Sequence, residues 1–310
     1  MSKTRAANDH DPNRFDVVGI GRNCVDYLAL LSRLPPRDSK VPMEEFLITG
    51  GGQATTALAA LSRLGVRTAY LGVFGGDRNG RMIREELEAA GVDISGAVVA
   101  PDLSTPAALI LVDRETAGRT IAYQSTPPGR LRPEDVDIEI ILSSRCLLID
   151  PHATLFGLSI AARVREEGIP IIYDAEHSTE GLEEMLAAAD YIVASRDIVE
   201  NLGLNSVMEA LDYLWSFSPR AAVITLGKEG ALARDSAGIL RKPAFTVTVV
   251  DTTAAGDAFH AGFAYGVLKN WDLGRILEFS NAVGALVCRG LGGRQTLPTL
   301  SEVETLLGWR

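Results

Sequence analysis

The chain has 310 residues, 46% of them hydrophobic and 23% charged, with a formal net charge of −10. That length suits one large α/β domain with a small appendage, and the negative charge argues against non-specific binding to nucleic acid or to a membrane surface. Three scattered cysteines, Cys24, Cys146 and Cys288, give neither a disulfide framework nor a zinc spacing, and no apolar run reaches transmembrane length, so a reducing cytoplasm is the expected setting.

Residues 1–14 are polar and read as a frayed tail ahead of a domain spanning 15–310. Phe15 to Gly21 reads as a first buried strand. Gly19 to Cys24 has part of a dinucleotide fingerprint but lacks its third glycine, and Pro35-Pro36 follows where that fingerprint needs a helix. An NAD-dependent enzyme is therefore disfavoured. Asp26 lies just past the strand, where open α/β sheets bind ligands. It suits hydrogen bonds from substrate hydroxyls, or equally the plain role of a solvated loop aspartate.

Short strands at Leu28–Leu31 and Glu45–Ile48 flank a polar turn, and a second such patch covers Ala107–Asp113 and Arg119–Gln124. Together the segments 27–49 and 107–124 suggest a small sheet that projects as a lid, the kind of device that keeps water from a transferring phosphoryl group. Between them Gly50-Gly51-Gly52 opens an alanine-rich helix that closes on Gly65. Glycines let a ligand approach the main chain, and Gln53 and Thr56 offer polar contacts; tight helix packing would also ask for small residues. Tyr70 to Asp77 reads as a strand ending in a glycine turn. Asn79–Ala90 reads as a helix whose Arg/Glu face is solvated.

From Cys146 to Gly227 strands and helices alternate cleanly, which calls for a parallel sheet with helices on both faces. Gly227-Lys228-Glu229-Gly230 closes the last of these strands, and Lys228 is either a phosphate contact or an ordinary surface lysine. None of the four histidines forms a metal pair. His152 and His177 follow strand ends, and His260 falls one helical turn after Asp257.

The stretch Val249 to Phe259 organises the rest. Phe245–Val250 is β-branched and alternating, so it reads as a strand, and a helix is expected to begin near Asp257. A strand, a turn of small residues and a helix N-terminus make an anion trap. A carboxylate inside such a trap repels a phosphate unless it has chemistry to do, such as taking a proton from an attacking alcohol. The plain alternative is an N-cap aspartate.

These residues make a family visible: the chain resembles the ribokinase-like (PfkB) carbohydrate kinases over nearly all its length. The family's Asp-Thr-x-Gly/Ala-Ala-Gly-Asp signature is matched by Asp251 to Asp257, followed by Ala258-Phe259. The glycine pair that opens a helix closing on Leu-Gly is matched by Gly51-Gly52 through Leu64-Gly65, and Gly72, Gly75, Asp77 and Gly80 match a further glycine turn. The resemblance implies a three-layer α/β/α domain with a mostly parallel sheet and a β-sheet lid. It implies ATP with Mg²⁺, and K⁺ in many members, near positions such as Asp251 and Thr253. It implies Asp257 as catalytic base, Ala254, Ala255 and Gly256 as anion hole, and Asp26, Gly51, Gly52 and Gln53 as the sugar side. Ser195, Thr225, Gly227, Asn281 and Gly293 would lie on the ATP side. Where relatives carry Asn-x-x-Glu, this chain has Ser195 to Ile198, with Asp197 or Glu200 as stand-ins. The triple glycine, Pro36 to Lys40 and Gly292-Gly293-Arg294 are similar to the branch that includes sulfofructose kinase. Arg22, Lys40 and Arg119 are the cations near the expected sugar side. The expected activity is phosphorylation of a sugar hydroxyl. A nucleoside kinase, or a non-catalytic sensor that kept the fold, is the alternative. The apolar lid residues Leu28, Leu30, Phe46, Ile48, Leu109 and Leu111 want cover that a second copy would supply, so a lid-to-lid homodimer is expected.

Overall fold

The computed structural model describes residues 14–124 and 131–309. The tail expected at 1–14 lies almost wholly outside them.

In the first half the strands are β1 (Val17–Ile20), β2 (Cys24–Leu31), β3 (Glu45–Gly51), β4 (Thr68–Leu71), β5 (Val73–Gly75), β6 (Val92–Asp93), β7 (Val98–Ala100), β8 (Ala107–Asp113) and β9 (Arg119–Tyr123). The second half adds β10 (Cys146–Ile149), β11 (Ile171–Asp174), β12 (Tyr191–Ser195), β13 (Ala221–Thr225), β14 (Ala231–Asp235) and β15 (Gly238–Lys242). The main sheet has the order β15-β14-β13-β12-β11-β10-β1-β4-β6. It is parallel from β13 to β6, and β14 and β15 add an antiparallel edge.

Residues along the central strands alternate between two cores, as a period of two requires. Val17 and Leu148 face a core with the helices Gln53–Arg63, Ala255–Leu268 and Leu273–Val287. Val18, Ile20 and Leu147 face a core with the helices Thr154–Glu166, Leu182–Ala188 and Val207–Trp215. Helices therefore cover both faces, which makes the expected three-layer α/β/α arrangement.

The two strand segments at 27–49 and 107–124 join in one four-stranded sheet, β3-β2-β8-β9. Leu28, Leu30, Ala108, Ile110 and Val112 pack against Leu291 on one side. The register puts Phe46, Ile48, Leu109 and Leu111 together on the other, where Phe46 is 53% and Leu109 59% exposed.

Two expectations need correction. Phe245–Val250 is not a strand. These residues pair with no strand among the described residues, and Val250 N instead donates to Cys288 O at 2.8 Å. Tyr70–Gly75 is not one strand either. The chain breaks at Gly72, so that β4 joins the main sheet and β5 pairs with β7. A side chain at Gly72 would strike the Tyr70 hydroxyl, 2.1 Å from the place of its Cβ.

Candidate active site

The residues singled out above gather at the carboxyl ends of the parallel strands, the edge at which open α/β sheets bind ligands. The helix Ala255–Leu268 begins at Ala254, which is left-handed at φ 63°. Asp257 is thus in the first turn of the helix and is not its N-cap. Ala255 N donates back to Thr252 O at 3.3 Å. The N–H groups of Gly256 and Asp257 fall in the first turn, where the helix has no acceptor for them.

Asp257 is half-buried. Burial raises its carboxyl well above the usual range, and the carboxylates of Asp174 and Glu176 add to the rise. Sequence reasoning passed over both of these acids. Asp174 ends β11 and is buried, and Gln53 Nε2 links the two acids, at 3.2 Å from Asp174 Oδ2 and 2.5 Å from Glu176 Oε2. Burial and Glu176 push Asp174 up, while the neighbouring His177 holds Glu176 down. The only signal in sequence was their place just after a strand, the same signal that drew attention to His152 and His177. Those two rings meet edge to face with centroids 5.5 Å apart. His260 is buried, with Nδ1 2.9 Å from Gly256 O and Nε2 3.6 Å from Asp174 Oδ1.

Asp26 lies within β2, which corrects the reading of a solvated loop aspartate. Burial raises its carboxyl, and Arg294 and Arg22 offset part of the rise. Gly51, the last residue of β3, sits so close that a Cβ there would be 2.1 Å from Asp26 Oδ2. Gly52 caps the next helix at φ 102°, a conformation that favours glycine, and Gln53 begins it. Asp150, also missed in sequence, ties this corner together. Its carboxylate accepts from Arg22 N at 2.7 Å, Ala54 N at 3.3 Å and His152 N at 2.9 Å, and burial brings its pKa to about 6.

Asp251 is 1% exposed. Its Oδ1 accepts from Thr253 N and Oγ1, and its Oδ2 from Gly292 N at 3.0 Å. These bonds shape the turn and leave Oδ2 with room for one more partner. Among the described residues no group of three or more His, Cys, Asp or Glu side chains is arranged to hold a metal. Gly293 packs on the same turn, and Arg119 of β9 reaches across from the small sheet to Thr252 Oγ1 at 2.5 Å.

Ser195, Thr225 and Gly227 form a second group along the same edge. Ser195 and Thr225 are register partners at the ends of β12 and β13, and Gly227 turns at φ 58°. Asn281 is buried with its amide donating to Lys242 O and Pro243 O, so it holds that loop in place. Ile198 is fully buried, while Asp197 and Glu200 are exposed. Asp174, Glu176 and Asp26 are the acids whose charges raise Asp257.

A profile of the pfkB family carbohydrate kinases matches residues 15–300. The chain belongs to the pfkB family. It is 30% identical over 298 residues, 95% of this chain and 98% of the other, to an ATP-dependent ribose-1-phosphate kinase of Halopiger xanaduensis. It is 26% identical, over 93% of this chain and 94% of the other, to a nucleoside kinase of Methanothermobacter thermautotrophicus. Its fold superposes on Arabidopsis thaliana ribokinase complexed with ribose and ATP with a TM-score of 0.79, at 20% identity over 96% of this chain and all of that one. This pfkB protein is an ATP-dependent carbohydrate kinase with the ribokinase fold.

Proposed function

We propose that Asp257 is the base of this kinase. In this reading the acceptor hydroxyl gives its proton to the Asp257 carboxylate as its oxygen attacks the γ-phosphorus of ATP. The bond to the β-phosphate oxygen breaks and ADP leaves. The observation that carries the reading is the place of Asp257, a carboxylate of raised pKa in the first turn of a helix whose N–H groups await an anion. Main-chain N–H groups from Ala254 to Asp257 would receive the transferring phosphoryl group, with Gly256 and Asp257 freest to do so. Asp26, Gly51, Gly52 and Gln53 would bind and orient the sugar, and Ser195, Thr225, Gly227 and Gly293 would line the ATP side. Mg²⁺ fits here as part of the ATP complex, where it neutralises phosphate charge. Asp174 and Glu176 are the carboxylates nearest in effect to Asp257 and would face that metal. A monovalent cation would draw on Asp251, Thr253 and the loop near Gly292.

The β3-β2-β8-β9 sheet is proposed to be a lid, held to the transfer turn through Arg119, and its open apolar face to be the seat of a second copy. Buried unpaired cysteines suit a reducing cytoplasm.

The test is ADP release from ATP against D-ribose, D-ribose 1-phosphate, 5-dehydro-2-deoxygluconate, D-fructose, sulfofructose and nucleosides. Asp257→Asn is expected to keep ATP binding and to lower kcat by at least ~10² on the best acceptor. Wild-type turnover in that variant would remove Asp257 as the base. ATP and sugar binding without any ADP release would favour the sensor reading.

A further inference from the structure

Arg294 has no part in the roles assigned above, yet its side chain is only 7% exposed. Its Nη1 makes no hydrogen bond among the described residues and has only the Glu86 carboxylate 3.7 Å away. A buried ion of this kind is expensive, and an apolar side chain of similar volume often does as well or better for stability. Its contacts show what it does instead.

The loop that carries Arg294 is bound on one side to the transfer turn. Gly292 N donates to Asp251 Oδ2 at 3.0 Å. Gly293 lies so close that a Cβ on it would be 2.0 Å from Ala254 Cβ and 3.1 Å from Thr253 O. On the other side the guanidinium grips the sugar-side glycines. Nη2 donates to Gly51 O at 3.0 Å and Nε to Thr56 Oγ1 at 3.3 Å. The Glu86 oxygen that faces Nη1 also accepts from Gly50 N at 2.7 Å. Gly51 in turn leaves no space between itself and Asp26.

We propose that Arg294 is a positioning residue, a buried strut that sets the register of the sugar-side glycine run against the turn that receives the phosphoryl group. The inference rests on the kinase reading above. In this role Arg294 acts through Gly51 on one side and Gly293–Ala254 on the other. Phosphoryl transfer depends on the distance and line between acceptor oxygen and phosphorus, and a misplacement of 1 Å costs about 10²-fold in rate. A planar fork can serve Gly51 O and Thr56 Oγ1 together; a lysine ammonium on a flexible stem does not hold that geometry.

The experiment compares Arg294→Lys, Arg294→Met and Thr56→Val with wild type, using ATP and whichever acceptor of the panel has the highest kcat/KM. ATP affinity is measured without acceptor, and Tm on the same samples. Arg294→Lys and Arg294→Met are expected to lower kcat/KM for the acceptor by at least ~30-fold with ATP Kd within twofold of wild type. Thr56→Val, which removes one acceptor of the fork at nearly constant volume, is expected to shift kcat/KM the same way by about threefold. Wild-type kinetics in Arg294→Lys overturn the proposal. So does a lowered Tm with unchanged kinetic constants in the folded fraction, or a loss of ATP affinity that matches the loss of kcat/KM. If Arg294→Met does not fold, Arg294→Lys and Thr56→Val decide the matter. A wild type inactive on every acceptor removes the kinase reading itself, whereas an active wild type with unaffected variants removes only the strut.

Discussion

At the scale of single residues, the site is a set of carboxyls held in an unfavourable place. Asp26, Asp150, Asp174 and Asp257 all have raised pKa values, each chiefly through burial. A carboxyl whose folded pKa exceeds its unfolded value binds its proton more tightly when folded. The unfolded state then holds fewer protons in the window between the two values, and stability falls as pH rises through it. For Asp150 the window runs from the usual 3.8 to about 6, a loss on the order of 3 kcal/mol. His152 works the other way. Its pKa is lowered by burial to about 4, so stability rises between that value and the ordinary histidine range. The expected outcome is that His152→Gln steepens the fall in stability from pH 4 to pH 6 in urea titrations. A pH profile no steeper than wild type would contradict the opposed pair. Asp257→Asn should raise Tm more at pH 8 than at pH 5, since a carboxyl held above its usual range destabilises the fold increasingly as rising pH ionises it. Equal Tm changes at both would argue against a raised pKa at Asp257.

At the scale of elements, the helix Ala255–Leu268 and the loop Gly290–Arg294 form one unit. Ala254 sits at φ 63° where glycine would be freer, at a cost of roughly 1 kcal/mol, and its Cβ is what Gly293 packs on. Gly293→Ala should therefore push the turn away and lower kcat more than it raises acceptor KM. Gly51→Ala should displace Asp26 and do the reverse, raising acceptor KM by at least ~10-fold. Steady-state kinetics on both variants check the split; identical patterns would mean that the two glycines serve only packing. The sequence carried the glycines plainly. It did not carry the role of Glu86, read as part of a solvated helix face, because the Gly50 N–H and the Arg294 guanidinium that it meets come from segments far away in the chain.

At the scale of the whole molecule, the four-stranded sheet is finished on one face only. Leu28, Leu30, Ile110 and Val112 are covered, while Phe46, Ile48 and Leu109 are left open. Contiguous exposed apolar surface of this kind marks a binding face, and a two-fold contact would bring the same residues from two copies together. Phe46→Glu with Leu109→Asp should give monomers with raised acceptor KM and little change in ATP affinity. Light scattering that finds the wild type monomeric at micromolar concentration would remove the dimer and leave the kinase untouched.

By itself the sequence determined the fold class, the alternation of strands and helices after Cys146, and the two glycine-bearing segments with Asp257 and Asp26. These are local matters: small residues beside a helix start and β-branched runs of period two state their chemistry within about ten positions. It misjudged Phe245–Val250, since β propensity cannot say whether a segment is placed alongside another strand. The tertiary structure alone decided that Asp174, Glu176 and Asp150 lie beside the candidate site, that Asp251 is buried and bonded to its own turn and to Gly292, and that Arg294 stands between the two halves. Each of those facts is a contact or a burial made by distant segments, and a charged residue reads the same in sequence whether water or a carbonyl lies beside it.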